Sequence, residues 1–385
     1  MKIVFICPDS KSLLLFCRGI LNYLRDSPNT SKLDVIVGDN GADDYLKASN
    51  IGSIIVPIYR FFSISKDAKT FIDLYRVCID HEYDIVINFS TKPNILGTLA
   101  AFFARTPRIY FHIVGLGSLN IVSHSLKVKI LRFFLNNLYS ICFKIADSVW
   151  FTNKHNVKYF KDDLSIDTNK VVLTKNYLDT NYYQPIDQAN IELQKLREEL
   201  AIKDEKIVVM VARMIWSKGI KEFVESAKII GNKHDNVRFI LVAPLEPDSP
   251  DAVSELFIQK MVEQNNLTWL QFREDVINFY GISDISVLPT FYQEGGYPRA
   301  LLEPMSMGKP VITTNNPNTI GAVDHDYNGF IVQERSTQEL ADAIERIIFN
   351  EELLKEFGNN SRKKAVSEFD EKLIIKQAFK EMNVI

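Results

Sequence analysis

Residues 284–314 read DISVLPTFYQEGGYPRALLEPMSMGKPVITT, and the order of their parts decides the fold. DISVLPT is a β-branched apolar run of strand length, closed by Pro289. A loop with two glycines and a proline follows. Next comes a helical apolar pattern carrying Leu301, Leu302, Met305 and Met307, and then a second strand run, PVITT. Strand, helix and strand in so short a span form the βαβ unit of a parallel sheet. Two carboxylates punctuate it: Glu294 on the glycine loop and Glu303 inside the apolar helix. An acid near the positive end of a helix and one solvated glutamate is the plain reading. The sharper one is a pair of acceptors for hydroxyl groups.

The same alternation runs outward in both directions. KIVFIC, LDVIVG, GSIIVPI, YDIVINF, RIYFHIV and DSVWFTN read as strands of a first half, most of them followed by helical patterns. EKIVVMVAR, VRFILVAP, LTWLQF, DISVLPT, PVITTN and GFIVQE form a second series. A chain of 385 residues exceeds one comfortable core. We therefore expect an α/β protein of two Rossmann-like domains, 1–182 and 183–370, with a C-terminal helix over about 371–385 packing back on the first. Two such halves facing each other predict a cleft at the carboxyl ends of both sheets.

Composition narrows the class. Hydrophobic residues make up 46% and charged residues 24%, which is globular rather than disordered. Cys7, Cys17, Cys78 and Cys142 lie at no metal-ligand spacing, so buried reduced thiols are expected. MKIVFICPDS reads as a first buried strand and not an export signal, and no apolar run reaches a membrane span. The net charge of −3 hides an asymmetry. Residues 1–185 carry 22 basic and 16 acidic residues, the remainder 23 and 32. From Ile85 to Ala146 there is no acid, while Lys92, Arg105, Arg108, Lys127, Lys129, Arg132 and Lys144 stand there among phenylalanine and leucine. That suits an anionic membrane surface, with Lys127, Lys129 and Arg132 as its contacts; half the weight stays with a core-packed helix that solvates one face. Nucleic acid is not expected, because no recognition motif accompanies the charge.

A dinucleotide enzyme is the first function to test. The sole G-x-G, GLGSLN at 115–120, lacks the third glycine and does not follow the first strand. VARMIWSKGIKEF offers something else. Arg213 ends a strand and Lys218 stands five residues on, before Gly219 and a helix. Two fixed cations beside a helix N-terminus suit a diphosphate. With Glu294 and Glu303 in the same half, the set matches a nucleotide sugar: cations for the diphosphate, carboxylates for vicinal hydroxyls.

These residues resemble the retaining nucleotide-sugar glycosyltransferases of the GT-B class, family 4. The resemblance rests on Arg213 and Lys218 (R-x4-K), the strand at 283–289, EGGYPRALLEPMSMGKPVITT, and YNGFIV at 327–332. It implies a UDP-sugar donor bound by Arg213, Lys218, Phe272, Arg273, Glu294, Gly295, Gly296, Tyr297, Pro298 and Glu303. Within that set Glu303 would hold the ribose, and Glu294 would approach the sugar. Eight residues separate the two glutamates where the family has seven, and Gly295 or Gly296 would absorb the extra one in a bulge. The P-G usual after the TT strand is altered to Pro317-Asn318.

The first half resembles members that extend lipid-diphosphate-linked oligosaccharides. Ser12 and Phe16, Lys92 and Asn94, GLGS at 115–118 and the basic LKVKILRFFLNNLY helix carry that likeness. Ser12, Arg18, Lys92, Asn94, Gly115 and Gly117 are thereby implied as acceptor-binding residues, with Cys17 standing where an arginine is usual. The resemblance implies a hexosyltransferase acting with retention, without cofactor or metal, on the inner face of the cell membrane from the cytoplasm.

His112 ends a strand at the expected cleft and is the candidate for proton handling, against the alternative of a packed core histidine. Asp324-His325-Asp326 spells D-x-D, but it precedes YNGF in a turn, and metal is not expected there. Two other classes share the architecture: a non-hydrolysing UDP-sugar epimerase and an idle sugar-nucleotide-binding protein.

Overall fold

The computed structural model describes residues 1–59, 62–114, 126–264, 266–294, 296–317 and 319–384, with the side chains of residues 126–128, 131 and 264 left aside. The chain divides into two units, Met1–Lys175 with Glu371–Ile385, and Asn176–Asp370.

The first unit is built on seven parallel strands: β1 (Lys2–Cys7), β2 (Lys32–Val37), β3 (Gly52–Ile55), β4 (Ile85–Phe89), β5 (Arg108–Ile113), β6 (Ser148–Phe151) and β7 (Val171–Leu173). Their order is β3-β2-β1-β4-β5-β6-β7. The central strands are buried on both faces, which is why they read as continuous apolar runs without alternation. The strand order reverses between β1 and β4, the place where an open α/β sheet leaves a crevice. Each of these two strands leads into a π-helical turn, Leu13–Cys17 after β1 and Pro93–Gly97 after β4. Such turns widen the start of a helix and often mark functional sites. The C-terminal helix Glu371–Glu381 packs on the Arg18–Arg25 helix, with Tyr23 edge-on to Phe379.

The second unit repeats the plan with β8 (Lys206–Val211), β9 (Val237–Val242), β10 (Leu267–Leu270), β11 (Ile285–Leu288), β12 (Val311–Thr314) and β13 (Gly329–Val332). The order is β10-β9-β8-β11-β12-β13, all parallel. Its sheet carries a core on each face, one through Val208, Met210 and Phe239, the other through Ile207, Val209 and Ile240. Two of its late helices start with side-chain caps. Ser336 Oγ accepts from the Glu339 amide, and Asn350 Oδ1 from the Leu353 amide. The glycine of YNGFIV has a packing reason, since a Cβ on Gly329 would lie 1.7 Å from the Val311 carbonyl oxygen of β12.

All four cysteines are buried free thiols. Among the described residues no helix is long and apolar enough to cross a membrane.

Candidate active site

The strand order of the second unit reverses between β8 and β11, so the segments leaving these two strands are neighbours. They carry the residues singled out by sequence. After β8 the chain passes Arg213 and makes a 3-10 turn, Trp216–Lys218, closed by Gly219 at φ +81°. That is left-handed backbone, and a Cβ there would meet the Pro289 carbonyl oxygen at 2.2 Å. The Ile220–Gly231 helix then starts with no side-chain cap, which leaves its first amides for other acceptors.

Lys218 is buried, and its Nζ lies 2.5 Å from Glu294 Oε1. Thr290 Oγ1 is 2.9 Å from the same oxygen. Burial pushes the Lys218 ammonium below its ordinary pKa, the neighbouring Arg213 adds to this, and Glu294 opposes both. Tyr292 lies under both cations, with the Arg213 guanidinium 5.2 Å and the Lys218 ammonium 5.0 Å from its ring centroid. The negative ring face lets two like charges share one small region. Arg213 itself is exposed. One exposed and one buried cation over a single ring, beside open helix amides, have the charge and donors to hold an anionic group.

The rest of the glycine loop is held from several sides. Gly296 takes φ +108°, a conformation that suits only glycine. Asn176 Nδ2 donates to the Tyr297 carbonyl at 2.8 Å, and the Tyr297 ring packs edge-on against Phe369. Pro298 stands at the start of the Arg299–Ser306 helix. Gly295 lies outside the described residues.

Glu303 belongs to a second group. Arg299 Nε donates to its Oε1 at 2.8 Å, while Arg299 Nη2 reaches the Tyr183 hydroxyl at 3.3 Å. Burial first, and the Glu303 charge second, raise the pKa of both Tyr183 and Tyr280. So each glutamate has its own cation, Lys218 for Glu294 and Arg299 for Glu303. Phe272 is exposed, and Arg273 is bracketed by Glu199 and Asp275, with contacts between 2.6 and 3.2 Å. In the D-x-D stretch, Asp324 pairs with Lys364 and Asp326 with Arg346.

In the first unit, Ser12 donates its amide and hydroxyl to Asp9 at 2.7 and 3.0 Å, just before the π-helical turn. Arg18 is exposed, its guanidinium 5.0 Å from the Tyr45 ring centroid. Lys92 is buried against Asp67 at 2.5 Å, and Asn94 Nδ2 donates to the His112 carbonyl at 3.0 Å. His112 is enclosed: its ring stacks on Trp150 with centroids 3.9 Å apart and meets the edge of Phe89. Neither ring nitrogen has a hydrogen-bond partner among the described residues, and burial pushes its pKa down to about 3. Gly115 and Gly117 lie outside the described residues, as does the Lys127 side chain.

Sequence reasoning missed Tyr292, Thr290, Arg299 and the Ser217–Asp251 contact. Tyr292 and Thr290 carried a weak signal, standing two and four residues before Glu294. Arg299 carried a better one, the i,i+4 spacing to Glu303. Asp251, far along the chain, carried none.

Residues 193–364 match the family described as glycosyl transferases group 1. That match lies within the second unit, and the curated relatives that the whole chain resembles are glycosyltransferases. The chain is 27% identical over 385 residues to the N,N'-diacetylbacillosaminyl-diphospho-undecaprenol alpha-1,3-N-acetylgalactosaminyltransferase of Campylobacter jejuni, covering 99% of this chain and 98% of that one. With the UDP-Gal:alpha-D-GlcNAc-diphosphoundecaprenol alpha-1,3-galactosyltransferase of Escherichia coli it shares 26% over 334 residues, 85% of this chain and 82% of the other. Among solved structures, Anabaena HepE in complex with UDP and glucose superposes with a TM-score of 0.78 at 22% identity, each chain covered in full. The fold of this glycosyltransferase is GT-B.

Two predictions follow from this geometry. Replacing Lys218 by Ala should cut turnover by about two orders of magnitude or more while the fold survives at a lower melting temperature, since Glu294 is left buried without its cation; near-normal turnover overturns the assignment. His112 has a folded pKa of about 3 against an ordinary 6.5. The stability of its buried neutral ring is therefore complete above pH 6.5 and is lost as pH falls toward 3, at up to about 1.4 kcal/mol per pH unit. Urea midpoints between pH 7 and 4.5 should fall more steeply for the parent than for His112→Gln.

Proposed function

We propose that this glycosyltransferase moves a hexose or N-acetylhexosamine, with retention, from a UDP-sugar to a lipid-diphosphate-linked saccharide in bacterial glycan assembly. The observation that carries the donor half is the pair of cations over Tyr292 with Glu294 bound to the buried one. Arg213 and Lys218 take the diphosphate, Glu294 reads a sugar hydroxyl, and Glu303, beside Arg299, reads the ribose. The acceptor half is supported by the names of the relatives, two of which act on diphospho-undecaprenol saccharides. We assign acceptor contacts to Ser12, Arg18, Lys92 and Asn94, around the π-helical turns after β1 and β4. Transferase relatives along nearly the whole chain favour transfer over epimerisation.

In the reaction, the bond from the anomeric carbon to the β-phosphate oxygen breaks as the acceptor oxygen arrives on the same face. The departing phosphate oxygen takes the acceptor proton and leaves as UDP. Arg213 and Lys218 stabilise the negative charge that grows on that oxygen, an interaction stronger in the transition state than in the ground state.

The lipid end of the acceptor gives the Leu126–Ile145 helix a role. One of its faces packs inward through Leu135, Tyr139, Cys142 and Phe143. On the other, Ile130, Phe133, Phe134 and Ile141 are exposed, Phe133 to 66%, beside Lys129 and Lys144. Phe102 and Phe103 of the neighbouring Thr98–Phe103 helix are exposed as well. An apolar stripe edged with lysine, in an interval without acids, fits the anionic cytoplasmic face of a membrane.

The transfer reading is tested with undecaprenyl-diphosphate saccharide and a panel of labelled UDP-sugars. Label should move to the lipid, and should do so in excess EDTA. UDP release with no labelled lipid for any pair overturns the acceptor assignment, and loss of activity in EDTA restored by magnesium brings a metal into the site. The membrane reading makes its own demand. Changing Lys127, Lys129 and Arg132 to Glu should weaken binding to anionic vesicles strongly, most at low salt, at roughly 1 kcal/mol per residue. Unchanged vesicle binding would reduce the helix to a packed core element.

A further inference from the structure

The Lys218 turn and the Glu294 loop leave different strands, and something must hold them in register. The structure shows Ser217 doing so with every polar group it has. Its amide donates to Asp251 Oδ2 at 2.9 Å and its hydroxyl to the same oxygen. Its carbonyl accepts from the Phe291 amide at 2.9 Å, and Thr290 Oγ1 lies 3.2 Å from it. Thr290 Oγ1 is also the group 2.9 Å from Glu294 Oε1, so its single proton is shared between the Ser217 carbonyl and the carboxylate.

Asp251 sits on the segment after β9, which straps across this turn. Met214 pairs with Leu245 and Ile215 with Ala252 in isolated bridges. The Trp216 amide donates to the Asp251 carbonyl at 2.9 Å, and the Val253 amide to the Met214 carbonyl at 3.1 Å. Trp216 packs edge-on against Phe257 on the helix that follows. One aspartate thus grips the 3-10 turn by backbone and side chain together, and two donors meet on one anionic oxygen.

We propose that Asp251 is a positioning residue for the diphosphate site: acting through Ser217, it fixes the Lys218 ammonium and the Thr290–Glu294 loop relative to each other. This rests on the reading of Arg213, Lys218 and Glu294 as the donor site. The bound diphosphate and the sugar are joined covalently, so a shift between the cation and the carboxylate misplaces one of them. Misplacement on the order of 1 Å costs about 100-fold in rate.

Steady-state kinetics and melting temperatures are measured for the full chain with four changes. Asp251→Ala should lower kcat/KM for the UDP-sugar by about 30- to 100-fold, with kcat lowered and donor KM raised. Asp251→Asn keeps an acceptor oxygen and should recover most of that loss. Asp251→Ala combined with Ser217→Ala should be little worse than Asp251→Ala alone, because both remove the same link. Asp284→Ala is the control for plain destabilisation. Its carboxylate takes the Ile207 amide at 2.6 Å, at the start of β8 in the same sheet, so it should lower the melting temperature and leave kcat unchanged. The proposal is overturned if Asp251→Ala turns over like the parent while Lys218→Ala is inactive. It is equally overturned if Asp251→Ala and Asp284→Ala lose activity only in step with melting temperature. If Lys218→Ala is fully active, the donor-site reading itself fails.

Discussion

The buried contact between Lys218 and Glu294 is the constraint that the second unit is arranged around. Removing both charges from water costs several kcal/mol for each ion, and one mutual contact does not offset that unless further groups join. The fold supplies them. Thr290 approaches the carboxylate oxygen, the Tyr292 ring faces the ammonium, and Gly219 lets the backbone pass within van der Waals reach of Pro289. The burial that lowers the Lys218 pKa also withholds competing water from the pair. A charge fixed in this way needs little reorganisation when new negative charge develops beside it, as the role proposed for Lys218 requires.

Why those two side chains meet follows from topology. In a parallel sheet each strand delivers its following segment to the same edge, and only at the reversal of strand order do two such segments diverge and leave a space. The second unit reverses between β8 and β11, which carry the lysine turn and the glutamate loop. The first reverses between β1 and β4, which lead to Ser12 and to Lys92 with Asn94. In both units the residues with chemistry stand beside the reversal. Some polar groups there are held locally, as Ser12 is by Asp9, and others by distant segments or by the sheet itself, as Asn94 is by the His112 carbonyl of β5.

That logic also explains what could be read in the sequence. The strands were legible because burial on both faces makes them unbroken β-branched runs, and the helices because their apolar residues keep a turn-like spacing. Arg213, Lys218 and Glu294 were legible because each stands directly after a strand. The setting of His112 was not. A strand end can point to solvent or to a neighbouring strand, and only the register that places Trp150 opposite it decides that the ring is enclosed. Asp251 was hidden for a similar reason, since an aspartate in a proline-rich loop reads as solvated until the loop is seen to double back. The second cation, Arg299, was readable from its spacing to Glu303, but spacing alone does not tell a surface pair from one packed under Tyr183.

The two glutamates are fixed by different elements. Glu303 is fixed by its phase on the Arg299–Ser306 helix, where Arg299 lies one turn before it. An insertion within that helix would rotate the carboxylate by about 100° relative to Arg299 and the core-facing Leu301 and Leu302. Glu294 is fixed from the other side, by Thr290 at the end of β11 and by Lys218. Between them stand Gly296 at φ +108° and Tyr297, which is held by Asn176 and Phe369 and by neither cation. Each carboxylate has its own cation, and neither pairing depends on the stretch between them.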